Sequence, residues 1–181
     1  MKSIIVLVFV GGYLFHPDYI YAQDFDKKGF CKELNVIVNC ISLSEDSMKG
    51  TFIGENSLGI QQWDTKYSFD GAISKYYDRS FLETSEEYRA TYIMLESVQQ
   101  KVAEDFYKQM VQAVRWCYGT EYSLSEQTST EWDNSGKKHQ HHEATFTGIE
   151  DKGIKLPVIL ARCFAIESGL YSVTVELYVV R

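Results

Sequence analysis

Positive charge is scarce in this chain. Lysine and arginine total 18 against 25 aspartates and glutamates, which leaves a formal net charge of −7 at pH 7. Binding to nucleic acid rests on neutralising phosphates with Lys and Arg, so the balance argues against a general nucleic-acid partner. The same balance argues against adhesion to anionic lipid and favours solubility. Catalytic signatures are missing too. There is no G-x-S-x-G nucleophile elbow. There is no phosphate-binding loop and no dinucleotide fingerprint. No C-x-x-C occurs, which excludes a thioredoxin-like redox site, and the cysteine spacing does not suit a tetrahedral zinc site. No internal repeat, low-complexity tract or inter-domain linker is visible. No cofactor and no catalytic activity are expected.

Long apolar runs are confined to the N-terminus. Lys2 precedes a nearly unbroken apolar stretch from Ser3 to Phe15, Pro17 breaks it, and Ile20-Tyr21-Ala22 places a small residue at a cleavage point. This is the three-part layout of a secretory signal. An uncleaved anchor is the alternative, but a spanning helix needs about 20 apolar residues and this run is shorter. Residues 1–22 are therefore read as a signal peptide and 23–181 as one domain, exported to the periplasm or the cell exterior, without stable membrane insertion. About 160 residues suit a single core that does not depend on disulfides.

Four cysteines remain, Cys31, Cys40, Cys117 and Cys163, and an even count in an oxidising compartment suggests disulfides. Cys31 and Cys40 fall nine residues apart in one helical pattern. That is roughly 13 Å along the axis and on opposite faces, whereas a disulfide needs Cα atoms within about 7 Å. Each must pair elsewhere or stay free.

Periodicity gives the architecture. Phe30, Leu34, Ile37, Val38 and Ile41 recur at helical spacing, predicting a helix from Asp26 to Ile41 with Asp26 as N-cap. Lys49 to Ile53 starts a short strand. Lys66 to Tyr77 reads as a strand bent at Gly71, and Tyr88 to Leu95 alternates. Ser97 to Gln100 has the form of a capping box ahead of a stripe of Val98, Val102, Phe106, Met110, Val114 and Cys117, with Gly119 as C-cap. Four strands follow. They are Glu121 to Trp132, His141 to Ile149, Ile154 to Ile166 with Pro157 hinting at an edge or bulge, and Leu170 to Val180. The fold class is α+β. Two amphipathic helices pack on one face of an antiparallel sheet in a two-layer sandwich, in the order α-β-β-(β)-α-β-β-β-β.

Phe30-Cys31-Lys32-Glu33-Leu34, Met48-Lys49-Gly50, Trp63, Phe69-Asp70-Gly71-Ala72 and Val114-Arg115-Trp116-Cys117 together resemble a group of small secreted bacterial proteins of unknown function. The element order is similar to the fold of type III secretion chaperones. The resemblance covers roughly residues 26–180 and implies a chaperone-like fold, which by itself does not give a function.

Three candidate sites follow. His139, His141 and His142 lie together before Glu143, so metal binding is weighed against an exposed hairpin tip. Glu83, Glu86, Glu87, Glu121, Glu126, Glu131 and Asp133 could supply a pair for an extracytoplasmic hydrolase, against a plain solvated surface. Trp63, Trp132 and Tyr122 stand out among many aromatics as a recognition surface, against ordinary sheet packing. The expected function is an exported protein- or peptide-binding module that uses a sheet face or edge; a homodimer is compatible with it.

Overall fold

The computed structural model describes residues 25–81, 84–132, 136–148, 156–167 and 169–181. The expected cleavage point and the turns read at 133–135 and 151–153 lie outside them. The chain runs α1 (Lys27–Leu43), a short 3-10 turn, then β1 (Lys49–Glu55), β2 (Gln61–Thr65), β3 (Ser74–Phe81) and β4 (Glu86–Gln99). After these come α2 (Gln100–Tyr118), β5 (Tyr122–Trp132), β6 (Lys138–Gly148), β7 (Val158–Glu167) and β8 (Leu170–Val180). The eight strands form one sheet in the order β1-β2-β3-β4-β8-β7-β6-β5, all antiparallel. The fold is α+β, with both helices against the sheet, as the periodicity predicts.

The topology is simpler than the strand count suggests. Each half is a helix followed by a four-stranded meander, and the two meanders join where β4 pairs with β8. That seam runs from Glu87↔Val180 to Gln99↔Leu170. Ala90, Tyr92, Val175, Leu177, Ile159, Ala161, Ala144 and Phe146 carry one face of the sheet into the core. Leu34, Ile37 and Ile41 of α1 and Met110 and Val114 of α2 meet it from the other layer, each fully buried. Side chains of this size contribute roughly 1.5–3 kcal/mol apiece when taken out of water.

The ends of α1 follow local rules. The Asp26 carboxylate accepts from the backbone N–H of Lys28 and of Gly29 at 3.1 and 3.0 Å, satisfying two orphan donors. Cys31 of α1 is bonded to Cys117 of α2 across 5.5 Å between Cα atoms. This pins the helix of the first half to that of the second. Cys40 and Cys163 are free.

Four expectations need correcting. The capping box at Ser97 does not form. β4 continues to Gln99, Ser97 sits at φ 58°, and the Gln100 amide reaches forward to Glu104 at 2.7 Å. Gly71 does not bend a strand. It occupies a turn with φ 79° ahead of β3, which starts only at Ser74. Trp63 lies in a strand of its own, β2, so four strands precede α2. Pro157 marks no edge. It is buried immediately before β7, an interior strand, where the missing N–H interrupts no ladder bond.

Candidate functional site

β5 is the free end of the sheet. Its eleven residues pair one for one with β6, from Tyr122↔Gly148 to Trp132↔Lys138, without a register shift. Among the described residues no strand pairs with its other side. In a strand, alternate backbone N–H and C=O groups point to opposite neighbours, so one set faces outward here. β5 contains no Pro, Lys or Arg. Those are the residues that usually blunt an open edge. Nearly every position after Tyr122 is exposed.

Beside this edge lies a cavity of about 340 Å³, lined by Val114, Arg115, Tyr118, Tyr122, Leu124 and Phe146 among others. It opens between the C-terminal end of α2 and the first half of β5. Tyr118 and Tyr122 are 8% and 7% exposed, their rings are 4.8 Å apart, and among the described residues neither hydroxyl has a hydrogen-bond partner. Burial pushes both phenols well above their ordinary pKa, with Tyr122 and Glu121 adding to the effect at Tyr118 and Glu121 at Tyr122. Both therefore remain neutral O–H groups. At the mouth the Arg115 guanidinium donates to Glu126 at 2.7 Å. Gly119 caps α2 at φ 50°, and a Cβ there would meet nothing within 4 Å. The chain can thus turn sharply from α2 into β5 without filling the mouth.

The predicted aromatic trio divides. Tyr122 and Trp132 mark the two ends of β5, the first buried and the second 67% exposed. Trp63 is on β2, with five strands between it and β5. That is roughly 29 Å along a flat sheet at about 4.8 Å per strand. It packs with Phe52 and Tyr77 under the Lys49 ammonium, 4.7 Å from the ring centroid. Trp63 is a packing residue of the first half.

The three histidines also diverge. His139 is buried, with Nδ1 3.4 Å from the Tyr171 hydroxyl. His141 lies 3.7 Å from Glu131. His142 contacts Thr128 at 3.1 Å, approaches Glu104 to 3.7 Å and lies over Tyr107. Among the described residues no group of three or more metal-ligating side chains converges.

The face of the sheet away from the helices carries an arrangement the sequence did not reveal. Arg89 on β4 contacts Glu176 on β8 at 3.1 Å, Glu176 contacts Arg162 on β7 at 3.0 Å, and Arg162 contacts Glu143 on β6 at 3.0 Å. Glu176, only 6% exposed, is held between two guanidiniums. Asp78 stands opposite Arg89 on β3. Burial raises its carboxyl to about 6, against the pull of Arg89 and with Glu87 and Glu176 adding to the rise. Part of the signal was present as the charges at period two in Glu87 and Arg89, but Glu176, Arg162 and Glu143 stand on other strands and only strand pairing brings them together. Glu86, one of the carboxylates considered for hydrolysis, is held low by hydrogen bonds from Arg79 and Tyr88. Glu126 is occupied by Arg115. Glu83 and Asp133 lie outside the described residues.

Two further properties bear on any site. The Cys163 thiol is fully buried and pushed up to about 12 by that burial, which keeps it an unreactive thiol rather than a nucleophile. No helix among the described residues is long and apolar enough to cross a membrane. Comparison with known proteins adds no assignment: no family model, no curated protein and no solved structure matches this chain.

Proposed function

We propose that this protein is an exported, non-catalytic interaction module that binds an extended protein segment by strand addition along β5. The observation that carries the reading is an eleven-residue strand in unbroken register with β6 and, among the described residues, without a strand on its other side. Main-chain hydrogen bonds along such an edge supply affinity, and pockets beside it select side chains. The cavity under Tyr118 and Tyr122 is placed to serve as that pocket. Export is supported by the N-terminal pattern and by the Cys31–Cys117 disulfide, which suits an oxidising compartment.

Proline scanning tests the reading. Successive N–H groups of β5 alternate between β6 and the outer side, so one of Ser129→Pro and Thr130→Pro removes only an outward donor. That variant should melt like the wild type and no longer capture the extended protein segments that the wild type binds. A folded proline variant of each kind that still captures them would exclude strand addition.

A further inference from the structure

We infer that a second copy of this chain is an occupant of the β5 edge, paired antiparallel about Gln127, with Trp132 of each copy seated in the Tyr118–Tyr122 cavity of the other. This rests on the strand-addition reading and names its partner.

The register follows from the sequence of the strand. A two-fold axis that keeps both helix layers on one side of a continuous sheet pairs residues of equal parity. Centring it on Gln127 opposes all eleven residues. Glu126 then faces Thr128, Glu131 faces Ser123, Leu124 faces Thr130, Ser125 faces Ser129 and Tyr122 faces Trp132. No carboxylate meets a carboxylate directly. Centring on Glu126 instead would set the two Glu126 side chains against each other, which is destabilising for directly opposed like charges. Centring on Thr128 would leave Tyr122 and Ser123 without partners. In the favoured register each Glu126 also keeps its Arg115, at 2.7 Å, so the acid on the shared surface is already neutralised.

The same register answers a second, independent observation. Tyr118 and Tyr122 have buried hydroxyls without partners among the described residues, on the wall of a cavity of about 340 Å³. Leaving such groups unsatisfied is costly. Tyr122, Leu124 and Glu126 share the face of β5 that looks toward α2, because Tyr122 packs on Tyr118 and Glu126 reaches Arg115. Trp132 has the same parity in a strand without register breaks, so in the pair it lands on that face beside Tyr122. Its indole offers an apolar body to Val114, Leu124 and Phe146, and an N–H that a phenol oxygen can accept. In one copy alone the indole is 67% exposed.

Sedimentation equilibrium of the exported chain, from about 1 μM to about 1 mM, tests the proposal. A concentration-dependent dimer is expected. Gln127→Glu and Gln127→Lys each place like charges opposite one another at the axis, and each should weaken association at least about tenfold. An equimolar mixture of the two variants should restore it. Trp132→Ala should weaken it about tenfold without lowering the melting temperature. A dimer indifferent to residue 127, or a mixture that does not recover, overturns the proposal. So does a chain that stays monomeric throughout. In that last case the proline variants still decide whether another protein uses the edge, so the two readings fail separately.

Discussion

The first half of the chain ends the sheet in β1, seven residues that slip register twice against β2. The second half ends it in β5, eleven residues in step with β6 throughout. Both halves are a helix followed by four antiparallel strands, so the contrast is not one of topology. It lies in the residues. β1 carries Gly50 and Gly54, with Gly54 at φ 149°, and a Cβ at Gly50 would come within 2.7 Å of the Asp64 carbonyl oxygen. Bulges of this kind twist an edge away from pairing with a newcomer. Phe52 and Ile53 are exposed there, but on a broken ladder. β5 has the opposite character, a polar Ser/Thr/Glu surface on a regular ladder. The apolar edge is closed by geometry, and the geometrically open edge is kept from indiscriminate aggregation by polarity.

Substitutions in either half test this contrast. The largest effect should come from what ties the halves together. Removing the Cys31–Cys117 bond with Cys31→Ser and Cys117→Ser is expected to cost about 2–5 kcal/mol in denaturant unfolding. If the two helices already held the halves firmly, the midpoint would hardly move. The aromatic ends differ next. Trp63→Ala in the first half should cost about 2 kcal/mol of stability and leave association alone, while Trp132→Ala in the second should stay within about 0.5 kcal/mol and impair association. Equal effects on stability would erase the distinction between a packing tryptophan and a recognition tryptophan.

Asp78 gives the first half a pH signature. Burial raises its carboxyl to about 6 from an ordinary 3.8. The folded state therefore keeps its proton to higher pH than the unfolded chain does, and the contribution of Asp78 to stability should fall as pH rises from about 4 to about 6. Denaturant midpoints across that window should fall more steeply, or rise less, in the wild type than in Asp78→Asn. An unchanged slope would show that the buried carboxyl is not responsible. The smallest effect belongs to the cavity. Tyr118→Phe or Tyr122→Phe deletes a hydroxyl without a partner, so the monomer should be as stable as before or gain up to about 1 kcal/mol. A loss of 2 kcal/mol or more would mean that the hydroxyls are satisfied.

The helices, the sandwich and the last strand were legible because each buries one face and repeats its apolar residues at that period. Tyr171, Val173, Val175, Leu177 and Val179 are all buried as the alternation demands. The first meander was less legible. β2 is five residues, Gln-Gln-Trp-Asp-Thr, too short and polar to show a period. Ser97 looked like a helix cap because Ser and a Gln three residues later match the pattern, but the β4–β8 ladder runs past it to Gln99. Of the site, Tyr122 and Trp132 were visible as aromatics at strand ends. Their separation from Trp63, the place of β5 at the end of the sheet and the Tyr118–Tyr122 cavity depend on strand order. That order pairs β4 with β8 and sends β5 to the far edge, and no local pattern states it. The Arg89–Glu176–Arg162–Glu143 ladder was hidden for the same reason.

Residue-resolved amide exchange on the dilute chain is the decisive measurement. An open edge at β5 requires alternate amides between Ser123 and Glu131 to exchange near the unprotected rate while those between them, bonded to β6, are slowed. The fast set should become protected when the partner is added, a second copy at high concentration included, and β1 should not respond. Uniform protection along β5 in the dilute chain would mean that the edge is already covered, and the account would be wrong.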